Sequence, residues 1–223
     1  IIDGVKAGGT VVLNADDPAF PRWQTRAAGR RVVSVSARGA EADYRCTGYE
    51  RVGEGYRVEV AARDGRRVSL EICLPGEHNI SNGLLAMAAA EALGAGEASV
   101  RNGLASARPA AGRLERKVLS DRVTVIDDSY NANPSSMKAA LDVLSGAEGT
   151  RVALLGAMAE LGPGSASLHG EVGDHARQQG VEALLVVGAG DGCDALVAGF
   201  GTPARRFDTH EQAVDWLLKD ITG

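Results

Sequence analysis

The stretch Val123-Thr-Val-Ile-Asp-Asp-Ser-Tyr-Asn-Ala-Asn-Pro-Ser-Ser-Met137 decides how the chain is read, because it passes from strand to polar loop to capped helix without a break. Val123 to Ile126 is a β-branched run, which predicts a strand buried on both faces. Asp127 and Asp128 then stand at its carboxyl edge. Asn133 followed by Pro134 is a helix start: an N-cap, then a proline where a missing N–H costs nothing. Met137, Ala140, Leu141 and Leu144 recur at i, i+3, i+4, i+7, one face of a helix. The polar residues Asp127, Asp128, Ser129, Tyr130, Asn131 and Asn133 are therefore expected in the crevice between a strand end and a helix, where ligands of open α/β sheets bind. A capped turn with solvated acids is the bland alternative.

Downstream the pattern alternates. From Lys117 a strand and helix (residues 118–145) lead to a strand at residues 151–155 and a helix at about 165–179. A third strand (183–187), a short helix (191–198), a minor strand (204–207) and a helix (209–219) follow. Such alternation predicts βαβ units and a mostly parallel sheet. The turns Gly156-Ala-Met-Ala-Glu-Leu-Gly162 and Gly188-Ala-Gly-Asp-Gly192 let backbone approach a ligand. His169 reads either as a ligand contact or, more commonly, as an exposed helical histidine.

Upstream, residues 10–13 form a strand pattern ending in Asn14-Ala-Asp-Asp-Pro18, whose acids read as solvated turn residues. Residues 31–36 make another strand. Between Tyr44 and Leu74 near-alternating polarity is broken at Gly53-Glu-Gly55 and Asp64-Gly65, which predicts an antiparallel meander. Pro75-Gly-Glu-His-Asn-Ile-Ser-Asn82 then opens an alanine-rich helix with Ile80, Leu84, Met87 and Ala88 on one stripe. Asn79 and Asn82 share a face, and an amide that donates and accepts at once matches an adenine edge, although both also suit a helix start. A second helix covers residues 96–107. The small-residue connector Ala110-Ala-Gly-Arg-Leu-Glu-Arg116 marks the domain boundary.

Bulk properties narrow the class. The 223 residues suffice for one large or two ordinary domains, and a net charge of -5, mixed along the chain, argues against a nucleic-acid partner. Three scattered cysteines disfavour a disulfide framework or zinc site and point to a reducing cytoplasm. No apolar run reaches membrane-span length. The chain opens on Ile1 without methionine and looks like a piece of a longer protein. It contains no G-x-x-x-x-G-K-S/T phosphate loop, no nucleophile elbow and no H-E-x-x-H.

Taken in order, Pro75 to Asn82, Gly112-Arg-Leu114, Asp127 to Pro134 with Ser136-Met137, and Gly156-x-Met-Ala-Glu-Leu-Gly162 resemble the Mur ligases of peptidoglycan synthesis. The resemblance implies a partial central ATPase domain (residues 1–115, antiparallel strands plus helices), then a Rossmann-like, mostly parallel α/β C-terminal domain (residues 116–223, truncated at its end). It implies ATP and Mg2+ as cofactors and amide formation through an acyl phosphate. Within the family the letters resemble most the branch that adds D-alanyl-D-alanine to UDP-N-acetylmuramoyl-tripeptide, expected to act as a cytoplasmic monomer. His78, Asn79 and Asn82 would face adenine, Arg113 the phosphates, Asp127 the ribose, and Asn131 and Asn133 the incoming dipeptide or the phosphates. The phosphate loop, a magnesium-binding glutamate and a carbamylated lysine of the family are expected upstream of Ile1, so this piece is not expected to catalyse alone. Ala157 stands where the family usually has aspartate. Competing readings are a sister Mur ligase or folylpolyglutamate synthase relative, a non-catalytic binding module of the same fold, and a nicotinamide dehydrogenase.

Overall fold

Valine-rich strands set both cores. The computed structural model describes the backbone of residues 1–222 and the side chains of residues 1–219, and it falls into two compact units that part between Pro109 and Ala110.

In the first unit the strands are β1 (Thr10–Asn14), β2 (Arg31–Ser36), β3 (Tyr44–Val52), β4 (Gly55–Ala62) and β5 (Arg67–Ile72), in that order across one sheet. β1, β2 and β3 run parallel; β3, β4 and β5 form the expected antiparallel meander. Helix α1 (Phe20–Arg26) links β1 to β2, and α2 (His78–Ala92) and α3 (Glu97–Ser106) follow the meander. The apolar stripe read from the sequence is what packs: Ile80, Leu84, Met87 and Ala88 of α2 lie buried with Val58, Val60, Leu70 and Ile72. Burying each of the Val, Leu, Ile and Met side chains among them contributes about 1.5–3 kcal/mol. Asp16 is not a solvated turn acid. Its carboxylate accepts the Ser36 hydroxyl at 2.6 Å and the Ala37 amide at 2.7 Å, tying the end of β1 to the end of β2.

In the second unit β8 (Val152–Gly156), β9 (Ala183–Val187) and β10 (Ala204–Phe207) form the parallel sheet, in the order β10-β9-β8. Around it lie α4 (Pro134–Ser145), α5 (Ser165–Gln178), α6 (Asp191–Phe200) and α7 (His210–Thr222). Leu184, Val186, Val172, Ala176, Leu196 and Phe200 fill its core.

One expectation is overturned here. The strand expected at Val123 to Ile126 forms, as β7 (Val123–Asp127), but it is neither buried on both faces nor part of that sheet: it pairs with β6 (Glu115–Ser120) in an antiparallel hairpin that turns at Asp121-Arg122 and makes a two-stranded sheet of its own. Thr124 and Val125 are exposed, as are Val118 and Leu119. The physical reason is that β-branching states only a preference for extended backbone; the neighbour supplies burial, and a two-stranded ribbon buries little.

Candidate functional site

Each unit contributes a separate polar cluster. In the first, Gly76 takes φ 90° and the chain enters α2, so that Asn79 and Asn82 come one turn apart. They are already engaged: Asn79 Nδ2 donates to the Pro75 carbonyl at 2.7 Å, and Asn82 Nδ2 donates to Asn79 Oδ1 at 2.9 Å. Each primary amide retains a second N–H, and the Asn82 oxygen accepts no bond among the described residues. His78 is exposed beside them. The Ser81 hydroxyl, one position on, is buried without a hydrogen-bond partner.

In the second unit the connector and the β7–α4 loop are bound together. Tyr130 N–H donates to the Gly112 carbonyl at 3.0 Å, and Leu114 N–H donates to an Asp128 carboxylate oxygen at 3.0 Å. Leu114 is buried at φ 54°, a left-handed conformation that costs an L-residue roughly 1–2 kcal/mol. Between them Arg113 lies over the Tyr130 ring, its guanidinium carbon 4.1 Å from the centroid. Asp127 faces Lys117, whose Nζ stands 2.6 Å from Oδ2, and accepts the Ser129 amide at 3.1 Å on Oδ1. Asn133 is committed to local structure: its Oδ1 accepts the Ser136 amide at 2.9 Å while Ser136 Oγ accepts the Asn133 amide at 3.1 Å, a capping box. Asn131 is exposed and makes no hydrogen bond among the described residues.

The Lys117 ammonium and the Ser129 hydroxyl and amide hold the Asp127 carboxyl down at about 2, below the usual 3.8. Because the folded value is depressed, the contribution of this pair to stability is full above the unfolded value and is lost as pH falls through about 2. Lys117→Met is expected to return the Asp127 midpoint toward 3.8, read by a carbon-13 NMR titration; a midpoint still near 2 would remove Lys117 as the cause.

Two residues had roles the sequence hid. His169 is fully buried in α5. The Met158 amide donates to its Nε2 at 2.7 Å, so the neutral ring carries its proton on Nδ1, 2.7 Å from the Ser165 carbonyl. It is neither an exposed histidine nor placed as a ligand contact; it anchors the turn that follows β8. The other is Tyr130, whose stack with Arg113 joins partners too far apart in sequence for any local pattern to reveal. A cleft of about 320 Å³ beside Arg31, Val33, Tyr44 and Arg63 in the first unit was also not foreseen. Within it Arg63 pairs with Asp43 at 3.3 Å; in a second hollow that shares Arg31, Val33 and Tyr44 with it, Glu91 accepts the Tyr44 hydroxyl at 2.6 Å and pairs with Arg66 at 3.0 Å. Burial and the Glu91 carboxylate push the Tyr44 hydroxyl up to about 12. Among the described residues no group of three or more His, Cys, Asp or Glu side chains is placed to hold a metal ion.

A mixed sheet backed by helices, followed by a parallel α/β unit, makes this a chain of two consecutive α/β domains. Residues 1–90 match the family described as Mur ligase middle domain, and residues 112–222 match Mur ligase, glutamate ligase domain. The chain belongs to the Mur ligase family. It is 34% identical over 201 residues to the UDP-N-acetylmuramoyl-tripeptide--D-alanyl-D-alanine ligase of Escherichia coli, covering 90% of this chain and 44% of that protein. The same-named ligase of Mycobacterium tuberculosis is 38% identical over 210 residues, covering 87% and 39%. The crystal structure of MurF from Acinetobacter baumannii superposes with a TM-score of 0.88 at 27% identity, over 99% of this chain and 47% of that one. The chain thus spans less than half the length of these relatives.

Proposed function

We propose that the chain is the later part of an ATP-dependent ligase that adds D-alanyl-D-alanine to UDP-N-acetylmuramoyl-tripeptide. The observation that supports this most is the shared name of the relatives above, joined to the conjunction of Arg113, Asp127 and Asn131 on one connector-and-loop assembly. The nucleotide enters as MgATP. Asn79 and Asn82 have donor and acceptor capacity left for an adenine edge, with His78 beside them, and the Arg113 guanidinium offers its N–H edges to phosphate oxygens. Asp127, ionised at neutral pH, accepts from ribose hydroxyls; Asn131 and the remaining amide donors of Asn133 meet the dipeptide or the phosphates.

In the reaction the tripeptide carboxylate attacks the γ-phosphorus and ADP leaves. The dipeptide amine then attacks the acyl phosphate carbon, loses a proton and expels inorganic phosphate. Barrier lowering in such a transfer is positioning and charge neutralisation, which is what an oriented arginine supplies.

The complete gene product that contains this chain, given MgATP and UDP-N-acetylmuramoyl-tripeptide, is expected to release phosphate only when D-alanyl-D-alanine is added. Release that depends instead on a single amino acid, or on glutamate with a folate acceptor, would reassign it to a sister ligase. No release with any amine would favour a binding module. The 223-residue chain alone is expected to turn over neither ATP nor dipeptide.

A further inference from the structure

We infer that Asp128 and Tyr130 are positioning residues for Arg113: Asp128 holds the connector in its left-handed turn at Leu114, and Tyr130 presents the guanidinium edge to an oxyanion of the phosphate class. The inference starts from Leu114. A leucine has no preference for φ 54°, so the turn persists only if its surroundings impose it. The imposing group is the Asp128 carboxylate, 3.0 Å from the Leu114 amide, a charge-assisted bond across the hairpin. On the other side of Arg113, the Gly112 carbonyl accepts the Tyr130 amide at 3.0 Å, and the Gly112 amide donates to Glu115 Oε2 at 3.3 Å. A Cβ at Gly112 would come within 3.2 Å of the Tyr130 nitrogen, so the approach needs glycine. Arg113 is therefore fixed by its two neighbours before its side chain makes any contact.

The side chain is then laid on the exposed Tyr130 ring. A guanidinium stacked on a ring spends its face, not its donors; the N–H edges stay available in the plane. Among the described residues no carboxylate pairs with Arg113, whereas Arg66, Arg151 and Arg206 are all in ion pairs. The arrangement is that of an arginine kept oriented and unneutralised. Tyr130 and Asp128 act through Arg113, so neither is a catalytic residue.

The test has two arms, and only the second rests on the ligase reading. In the 223-residue chain, Asp128→Ala is expected to speed hydrogen exchange at the Leu114 amide about tenfold, the loss of one charge-assisted bond, and Asp128→Asn to restore most of the protection. Tyr130→Leu is expected to move the Arg113 Nε–H resonance to that of an unstacked arginine, with Tyr130→Phe leaving it in place. In the complete gene product, Tyr130→Leu is expected to raise KM for ATP about fivefold with kcat nearly unchanged, and Tyr130→Phe to restore it. A role in folding alone would lower kcat and leave KM where it was. Leu114 exchange and the Arg113 resonance unchanged in every variant would overturn the inference, as would a fall in kcat at constant KM. If the wild-type gene product shows no ATP-dependent turnover, the ligase reading fails and the first arm still decides this one.

Discussion

Gly173→Ala is expected to lower the melting temperature of the second unit by about 12–24 °C, taking about 3 kcal/mol of overpacking at about 4–8 °C per kcal/mol for a domain of this size. α5 and α6 cross with their backbones in contact. A Cβ at Gly173 would overlap the Leu196 carbonyl oxygen and stand 2.9 Å from the Phe200 nitrogen, and one at Gly199 would overlap the Gly170 carbonyl oxygen. The obstructing atoms are main chain, so no rotamer change relieves them. The helices must part, and Val172, Ala176, Leu196 and Phe200 lose their close packing. The usual helical preference for alanine over glycine, about 1 kcal/mol, acts in the opposite direction and is outweighed. Gly103→Ala in α3 supplies the control, since nothing lies within 4 Å of a Cβ there; that variant is expected to stabilise slightly. Scanning calorimetry of both variants checks the pair, and a higher melting temperature for Gly173→Ala would contradict the packing described.

The second large effect concerns chemistry. Arg113→Ala in the complete gene product is expected to lower kcat/KM for ATP about a hundredfold, the usual cost of removing one charge-stabilising donor from a transfer site. Arg113→Lys should recover part of this, since it restores the charge but not the planar fork or the stack on Tyr130. Steady-state phosphate release measures both. Unchanged kinetics in Arg113→Ala would mean that the arginine rides on the surface of the connector and serves no phosphate.

Much of the fold was legible because its determinants are local. The α2 stripe, the two hairpin turns of the meander and the Asn133-Pro134 start of α4 each follow from spacing within a few residues, and the structure places all three as read. The failures share one cause, which is that partner identity is non-local. Nothing near Val123 says that its strand pairs with β6 through the Asp121-Arg122 turn, which lacks glycine. Nothing near His169 says that its ring meets the Met158 amide or that Gly192 leaves room for it, a Cβ there falling 2.9 Å from the imidazole. The site follows the same division. Residue types and their order pointed to Asn79, Asn82, Arg113 and Asp127, and the helical spacing to the Asn79–Asn82 pair, whereas the contacts that Tyr130 and Lys117 make with Arg113 and Asp127 appear only in three dimensions.

The most direct test is a crystal structure of the complete gene product with a non-hydrolysable ATP analogue and Mg2+. The account predicts the adenine within hydrogen-bond distance of Asn79 or Asn82, the ribose hydroxyls at Asp127, and a phosphate oxygen on the Arg113 guanidinium with Tyr130 still beneath it. A nucleotide seated elsewhere, with Arg113 turned to solvent and Asp127 still held only by Lys117 and Ser129, would contradict it.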